Sequence, residues 1–142
     1  MNQIAWPKNV SGREVDLKGA TIEKACFRGA KLAGADCTGT TFVTCDFGEA
    51  DLTEARFVDA MARGSFFIRS DLSRVNARGA NFMEAIMSNA ILAGADFTKA
   101  NLFRASLSRA RGDDKTRFTG ANVEFVLKEP PYVDRSKADT HG

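Results

Sequence analysis

The residues that could carry out chemistry are few and poorly placed in this sequence. The only histidine, His141, lies one residue from the C-terminus, whereas Ser-His-Asp and Cys-His catalysis both need an imidazole that is held in position. The three cysteines, Cys26, Cys37 and Cys45, do not have the spacing of zinc ligands. The sequence therefore predicts no catalytic residue, no metal site and no cofactor.

Acidic pairs and nucleotide motifs do not supply an alternative chemistry. Asp46 and Glu49 are close in sequence, and Asp113 is followed directly by Asp114. Carboxylates on an outer face more often serve solvation than acid–base catalysis. The glycine-rich signatures of phosphate-binding and dinucleotide-binding loops are absent from the sequence. We therefore expect a protein that is not an enzyme.

The net charge of the chain also bears on whether it binds nucleic acid or membranes. Its 142 residues include 20 lysines and arginines and 18 aspartates and glutamates, so the net charge is +2. Proteins that bind nucleic acid or anionic membranes normally carry a large basic excess, so direct nucleic-acid binding is not expected. No apolar run reaches the roughly 18 residues of a membrane span, and residues 1–10 lack signal-peptide features. An odd number of cysteines without a CxxC pair suits a reducing compartment. The sequence therefore predicts a bacterial cytoplasmic protein without membrane contact.

A repeat of five residues dominates the sequence. Steps of five from Leu17 to Leu107 reach 19 positions, of which 16 are Leu, Ile, Phe or Met. The positions two residues earlier, from Val15 to Ala105, are alanine in 13 of 19 cases. A helix repeats its apolar residues every 3.6 residues and a strand every two, so neither explains this period.

A square coil explains the period of five. If each five-residue unit forms one side, four units close a coil, and the large centre residue and the small residue before it both point inward. Coils stacked about 4.8 Å apart would form axial backbone hydrogen bonds, and 19 units would build nearly five coils, a rod of about 24 Å. We number the four sides by their first centres, which are Leu17, Ile22, Phe27 and Leu32.

The repeat units resemble the A-(D/N)-L-x-x motif of the pentapeptide-repeat family. The units that carry the resemblance are Ala35-Asp36, Ala50-Asp51-Leu52, Ala80-Asn81-Phe82, Ala95-Asp96-Phe97 and Ala100-Asn101-Leu102. The resemblance covers residues 15–111 and resumes from Phe118 to Val123. It implies an all-β fold, a right-handed quadrilateral β-helix of about five coils.

The sequence predicts three regions along the chain. Residues 1–14 should form an N-terminal cap, with Trp6 as a lid on the first coil. Residues 15–127 should form the β-helix, with a polar loop near residues 111–117. The apolar run 125–127 should close the C-terminal end or join two subunits, and residues 128–142 should be a flexible tail.

Two kinds of position test this register. Ala62 and Ala77 are small for centre positions, but the axial neighbours of each are phenylalanines, for example Phe42 and Phe82 on either side of Ala62. The second position after a centre is often glycine, which suits a corner with positive φ. Where other residues occupy this position, we expect the corner type to vary.

Large apolar residues recur at outward positions near the corner between the second and third sides. The predicted interaction patch comprises Met61, Phe66, Ile68, Met83, Ile86, Ile91 and Phe103. Because these residues cluster on the third to fifth coils, they indicate a contact surface. Two alternatives stay open: a terminal segment or loop covers them, or they are ordinary scattered exposure.

These observations favour a non-enzymatic protein–protein interaction module, a scaffold or an adaptor, with a protein partner that the sequence does not name. A homodimer through the apolar corner or the C-terminal end is a further expectation. The alternative comes from the resemblance, because some pentapeptide-repeat proteins regulate type II topoisomerases as acidic DNA mimics. The near-neutral charge disfavours this alternative, since a DNA mimic needs a continuous anionic field.

Overall fold

The computed structural model of the protein describes residue 13 and residues 15–128. Most of the predicted N-terminal cap, including Trp6, lies outside the described residues. The same holds for His141 and for the predicted tail beyond Lys128.

The described chain winds into a parallel β-helix with four sides. Two regular strands, β1 (Thr21–Glu23) and β2 (Thr41–Val43), pair in parallel with Thr21 opposite Thr41. Single parallel bridges continue this pairing on all four sides, from Asp16 with Asp36 through to Ile91 with Arg111. Because each of these bridges joins residues 20 apart, one coil contains four five-residue sides.

Backbone hydrogen bonds between coils run along the axis of the rod. The N–H of a centre donates to the coil that follows, as from Leu17 to the carbonyl oxygen of Asp36 at 2.8 Å. The N–H of the outward residue donates to the coil before, as from Asp36 to Val15 at 3.0 Å. Each coil therefore satisfies the backbone groups of its neighbours, which is the pairing that buried backbone requires.

Most sides end in a tight turn that explains the second residue of the motif. The small inward residue donates its N–H to the preceding centre, as Ala20 does to Leu17 at 3.0 Å. An aspartate or asparagine at the outward position accepts from the backbone two residues later, as Asp36 Oδ1 accepts from the Thr38 N–H at 3.1 Å. This side-chain turn is a common role of Asp and Asn.

All corners share a positive φ, whichever residue occupies them. The second position after a centre has φ between 66° and 75° where it is glycine and between 51° and 60° where it is not, from Gly19 to Phe125. The corners still differ in their hydrogen bonds: Ala25 and Cys45 do not donate to the preceding centres, and the Lys24 N–H donates to the Val43 carbonyl at 2.8 Å. At the non-glycine corners, residues such as Lys99 adopt positive φ at a steric cost of about 1 kcal/mol.

Phenylalanines fill much of the interior. On the third side, Phe27, Phe47 and Phe67 stack with ring centroids 4.7 and 4.9 Å apart and planes within 6° of parallel. These distances equal the spacing between coils. The small inward residues beside them are buried as well, so one large and one small side chain from each side fill the cross-section.

Rings from the adjacent side fill the space that the two small centres leave. The ring of Phe57 lies 5.7 Å from Phe42 and 6.1 Å from Phe82, the two residues that flank Ala62 on its own side. In the same way, Phe82 contacts Phe57 and Phe97, which flank Ala77. Both alanines are fully buried. The predicted register therefore places each small centre beside a ring that fills the interior next to it.

The pairing register shifts by one residue after Arg111. Bridges join residues 20 apart up to Ile91 with Arg111, and residues 21 apart from Asp96 with Arg117 onward. Phe118 then occupies the centre above Phe97, with ring centroids 5.3 Å apart and planes within 5°. The extra residue is therefore accommodated at the surface while the interior column continues.

Side chains of the loop replace the backbone partners that the extra residue displaces. Asp113 Oδ1 accepts from the N–H groups of Gly94 at 2.9 Å and Lys115 at 3.0 Å. The hydroxyl of Thr116 donates to the Leu92 carbonyl at 2.8 Å. The hydrogen bond from Gly94 is the main reason that the pKa of Asp113 lies below its usual value. Asp113 therefore has a structural role.

The packing around Ala77 gives a first prediction. Ala77→Leu should lower the free energy of unfolding by about 1–3 kcal/mol, because the ring of Phe82 already occupies the space that leucine needs. Chemical denaturation monitored by circular dichroism measures the change. Ala93→Leu, at a half-buried outward position, is the control and should be near neutral. A more stable Ala77→Leu protein would contradict the packing.

The positive φ of the corners gives a second prediction. Lys99→Gly should raise the free energy of unfolding by about 0.5 kcal/mol, and Lys99→Val should lower it by about 1 kcal/mol or more, because β-branched residues disfavour positive φ. The matched control is Lys31→Val, since Lys31 lies in a β-bridge where valine is well tolerated. Equal stability of the two Lys99 variants would show that the corner is not strained.

Candidate functional site

Two of the three cysteines, Cys37 and Cys45, have little nucleophilic character. Cys37 and Cys45 are fully buried free thiols, whereas Cys26 is half-buried on the third side. Burial raises the pKa of the Cys37 thiol to about 12 and also raises that of Cys45. A thiol with a raised pKa stays protonated at neutral pH and attacks poorly. Among residues 15–128, no cluster of three or more His, Cys, Asp or Glu could hold a metal ion.

The acidic pair on the third side is engaged in ion pairing. The guanidinium of Arg28 lies 2.6 Å from Glu49 and 3.8 Å from Asp46. All three side chains are partly exposed, so the pairing contributes at most about 1 kcal/mol. Arg28 therefore pairs with both carboxylates on the surface of the rod, and the geometry does not identify either carboxylate as a general acid or base.

Apolar side chains from two outward columns form a strip where the second side meets the third. Parallel bridges such as Phe66 with Ile86 join the third-side column from coil to coil, and in the second-side column Arg63 lies between Val43 and Met83. We call the strip the apolar corner; its residues are Val43, Phe66, Met83, Ile86, Phe103, Phe125 and Leu127. Val43 and Phe66 are exposed, and Met83, Ile86 and Phe103 are half-buried. Phe125 and Leu127 are exposed as well, so four of the seven residues of the strip are exposed.

The structure places the predicted interaction patch on two neighbouring corners. Four of its members lie on the apolar corner: Phe66, Met83, Ile86 and Phe103. Met61 faces outward on the adjacent second side, where it is 44% exposed. Ile68 and Ile91 lie at the next corner, between the third and fourth sides, because Ile91 pairs with Asp71 and Arg111 of the fourth side. The sequence therefore identified the centre of the strip and also included three residues that lie off it: Met61, Ile68 and Ile91.

The apolar residues replace a structural hydrogen-bond acceptor. At the outward position before a centre, Asn81 Oδ1 accepts from the Met83 N–H at 2.9 Å, and Asn101 does the same for Phe103 at 3.0 Å. Five large apolar residues occupy this same position without a side-chain acceptor: Met61, Phe66, Ile86, Ile91 and Leu127. Each of them forgoes a bond that stabilises other units of the fold, so packing inside the rod does not explain their presence.

Exposure of large apolar side chains is confined to two of the four sides. In the described part of the chain, the large hydrophobic residues with the greatest exposure are Val43 (39%), Met61 (44%), Phe66 (38%), Val123 (48%), Phe125 (70%) and Leu127 (55%). All of them belong to the second or third side. Scattered exposure would distribute such residues around the rod, so this distribution favours a contact surface.

Phe125 and Leu127 belong to the apolar corner, although the sequence suggested only a closing or dimerising role for them. The ring of Phe125 meets Phe103 edge to face, with centroids 5.7 Å apart. Leu127 pairs with Ser106 on the third side. The one-residue shift after Arg111 hid this placement, because a strict period of 20 residues assigns both to different columns. The motif at Phe118 contained the signal for the corrected register.

Charged groups flank the apolar corner at several heights. Arg63 and Glu84 pair at 3.0 Å beside its middle. Further along, the guanidinium carbon of Arg104 lies 5.1 Å from the ring centroid of Phe103, within the range of a cation–π contact. The corner is therefore neutral at its middle and cationic towards the C-terminal end.

The C-terminal end of the described rod offers a second surface. A depression of about 350 Å³ has Leu107 and Phe118 among its apolar lining residues, and Arg109 and Lys128 among its polar ones. Val123, which would be an interior centre in a longer rod, is 48% exposed here. This end is the other place where two subunits could meet.

The described residues contain no helix of the length and apolar character needed to cross a lipid bilayer.

Comparison with protein families gives an extensive match. The model of pentapeptide repeats matches in eight copies, over residues 13–48, 30–67, 50–89 and 87–111. No curated protein sequence matches the chain at a significant level.

Solved structures with the same architecture include two functionally distinct proteins. One is HetL from the cyanobacterium Nostoc sp. strain PCC 7120, a pentapeptide repeat protein involved in heterocyst differentiation regulation; identity is 23% and the TM-score is 0.65 over 69% of this chain. This chain covers only 40% of HetL. The other is full-length QnrB1, a plasmid-mediated fluoroquinolone resistance protein, with 19% identity and a TM-score of 0.55 over 87% of this chain and 68% of that one.

At these identities the likeness shows the fold alone, and the predicted right-handed quadrilateral β-helix is confirmed. The repeat match extends over residues 13–111, more than half of the sequence. The chain belongs to the pentapeptide-repeat family.

Proposed function

We propose that the chain is a non-enzymatic protein–protein interaction module, a scaffold or an adaptor, that contacts its partner through the apolar corner. The observation that carries this proposal is the confinement of large exposed apolar side chains to the second and third sides. Exposed apolar clusters of this kind mark binding surfaces on soluble proteins. Phe66, Phe103 and Phe125 are the best candidates for anchors, because aromatic side chains are enriched among residues that dominate binding energy.

The fold supports this proposal because it holds the surface in a fixed shape. The axial bonds around the corner are short, for example 2.7 Å from the Phe67 N–H to Ile86 and 2.8 Å from Glu84 to Phe103. The side chains beneath them are fully buried. A surface that is already ordered loses little conformational entropy on binding, which favours affinity.

The proposal extends to the setting of the protein. We place it in the bacterial cytoplasm, a reducing compartment that suits its three free cysteines. A homodimer through the apolar corner, or through the C-terminal end around Val123, is compatible with an interaction module. In either case the partner is a protein, and the chain does not bind nucleic acid directly.

DNA mimicry towards a type II topoisomerase is the competing function, and the charge pattern gives it little support. The outward column of the first side reads Asp16, Asp36, Arg56, Asn76, Asp96 and Arg117 along the axis. In the described chain, no outward column has more than two acidic residues in succession. Salt bridges such as Arg78 with Asp96 at 3.1 Å neutralise part of this charge. A continuous anionic field therefore does not form.

The apolar corner gives a third prediction. The triple variant Phe66→Ser, Met83→Ser, Phe103→Ser should keep the fold, because none of these side chains contributes to the interior columns. It should lose the specific partner in a cross-linking pull-down from the native host, with each anchor lost weakening binding by about ten-fold or more.

A matched control changes Val58 and Ala93 to serine, at half-buried outward positions of the first and fourth sides. This variant should retain the partner. Retention of the partner by the triple variant, or its loss from the control alone, would contradict the proposal. Circular dichroism and thermal unfolding verify that both variants remain folded.

The charge pattern gives a fourth prediction. In a DNA supercoiling assay with gyrase, with and without a quinolone, the chain should neither inhibit the enzyme nor protect it, because its surface lacks an extended acidic face. Titration of the chain to a large molar excess over gyrase makes a negative result decisive. Protection or inhibition that rises with the concentration of the chain would favour DNA mimicry over the interaction module.

A further inference from the structure

The backbone at the apolar corner is saturated, and this restricts what can bind there. The N–H groups of Phe66 and Ile86 donate along the axis to Cys45 and Ser65 at 2.9 and 3.0 Å. Their carbonyl groups accept from Phe47 and Phe67 at 2.6 and 2.7 Å. A partner strand would find no row of free backbone groups along this corner, so strand addition is not available as a recognition mode. An α-helix suits such a surface, because its backbone groups are already hydrogen-bonded within the helix.

The spacing of the apolar side chains also suits a helix. The strip runs from the coil of Val43 to that of Leu127, which is four steps of about 4.8 Å, or about 19 Å. An α-helix presents one apolar position per turn of about 5.4 Å, so about 13 residues extend over the strip with an anchor near each coil. An extended peptide repeats its side chains on one face about every 6.7 Å, which matches the coil spacing of about 4.8 Å less well than the helical pitch does.

Charge changes along the rod in a way that specifies the partner further. Residues 15–98 contain 11 acidic and nine basic residues, whereas residues 99–128 contain three acidic and seven basic residues. Six of the nine basic residues in the first stretch form salt bridges: Lys18, Arg28, Arg56, Arg63, Arg74 and Arg78. None of the seven in the second stretch forms one within the described chain. In the described chain, most of the cations without a salt bridge therefore lie towards the end that carries Phe103, Phe125 and Leu127.

One of these cations flanks the strip, and two lie at the end of the rod beyond it. Arg104 follows Phe103 and lies against its ring, whereas Arg109 and Lys128 line the depression at the C-terminal end. Glu124 is the acidic residue of the second and third sides in this stretch. The electrostatic complement of this region is therefore an acidic group next to an apolar one.

We infer that the apolar corner binds an amphipathic α-helix of another protein, about four turns long, whose apolar face is flanked by aspartate or glutamate. The inference rests on the proposed interaction function and specifies the class of partner. The helix lies along the axis of the rod, with its apolar residues between the two outward columns. Its acidic residues contact Arg104, Arg109 and Lys128.

A lipid surface fits the corner less well than a helix does. The ion pair of Arg63 with Glu84 at the middle of the strip would have to enter the bilayer interface together with Met83.

A peptide-display selection tests the inference directly. The full chain is the bait for a phage library of random peptides of about 16 residues, and the triple variant Phe66→Ser, Met83→Ser, Phe103→Ser is used for counter-selection. We expect enriched peptides with apolar residues at i, i+4, i+7 and i+11 and with acidic flanks. They should gain helical circular dichroism on binding and bind Arg104→Glu, Arg109→Glu at least about ten-fold more weakly than the unaltered chain.

The other outcomes overturn the inference in distinguishable ways. Enrichment of extended, proline-rich or basic peptides, absence of any enrichment, or binding that ignores Arg104→Glu, Arg109→Glu would refute the acidic helix. If the corner still captured its native partner in the pull-down, the interaction function would stand. Corner-dependent binding to phosphatidylserine vesicles would favour a membrane, and corner-dependent self-association in sedimentation would favour a second copy.

Discussion

The axial hydrogen-bond ladder between coils is the interaction on which the rest of the structure depends. It requires residues 20 apart to lie above one another, so that each outward column repeats with the coil. This fixes which side chains share the interior, and it imposes positive φ on corners occupied by lysine or glutamate as firmly as on those with glycine. It also leaves the lateral backbone without free groups, which restricts recognition at the sides of the rod to side chains.

The interior was largely predictable from the sequence because a square cross-section admits one large and one small side chain per side. The burial of Ala62 and Ala77 follows from the same register, although the rings that fill the space come from the adjacent side. The positive φ at every corner, including those with lysine or glutamate, was not predicted, because residue type is a weak guide where tertiary hydrogen bonds set the backbone path. The loop at residues 111–117 was located, but its effect on the register depends on hydrogen bonds of Asp113 and Thr116 that no motif indicates.

The candidate site was predictable only at its centre. Phe66 and Ile86 stand out because the period assigns them to outward positions, where the motif favours aspartate or asparagine. Phe125 and Leu127 were missed as members because their columns become clear only when Arg117 is paired with Asp96. Ile68 and Ile91 were included because nearness along the sequence does not distinguish one corner from the next. The local excess of positive charge around Phe103 likewise becomes clear only from the ion pairs, because the net charge of the whole chain is close to zero.

Site-specific photo-cross-linking in the native host tests most directly whether the apolar corner is the contact surface. A benzoylphenylalanine in place of Met83 samples the middle of the strip, and the same substitution at Val58 samples the first side, where the environment is also half-buried. A corner that binds a protein predicts a discrete cross-linked species from position 83 and none from position 58. Cross-linking from position 58 alone, or equal cross-linking from both, would contradict it.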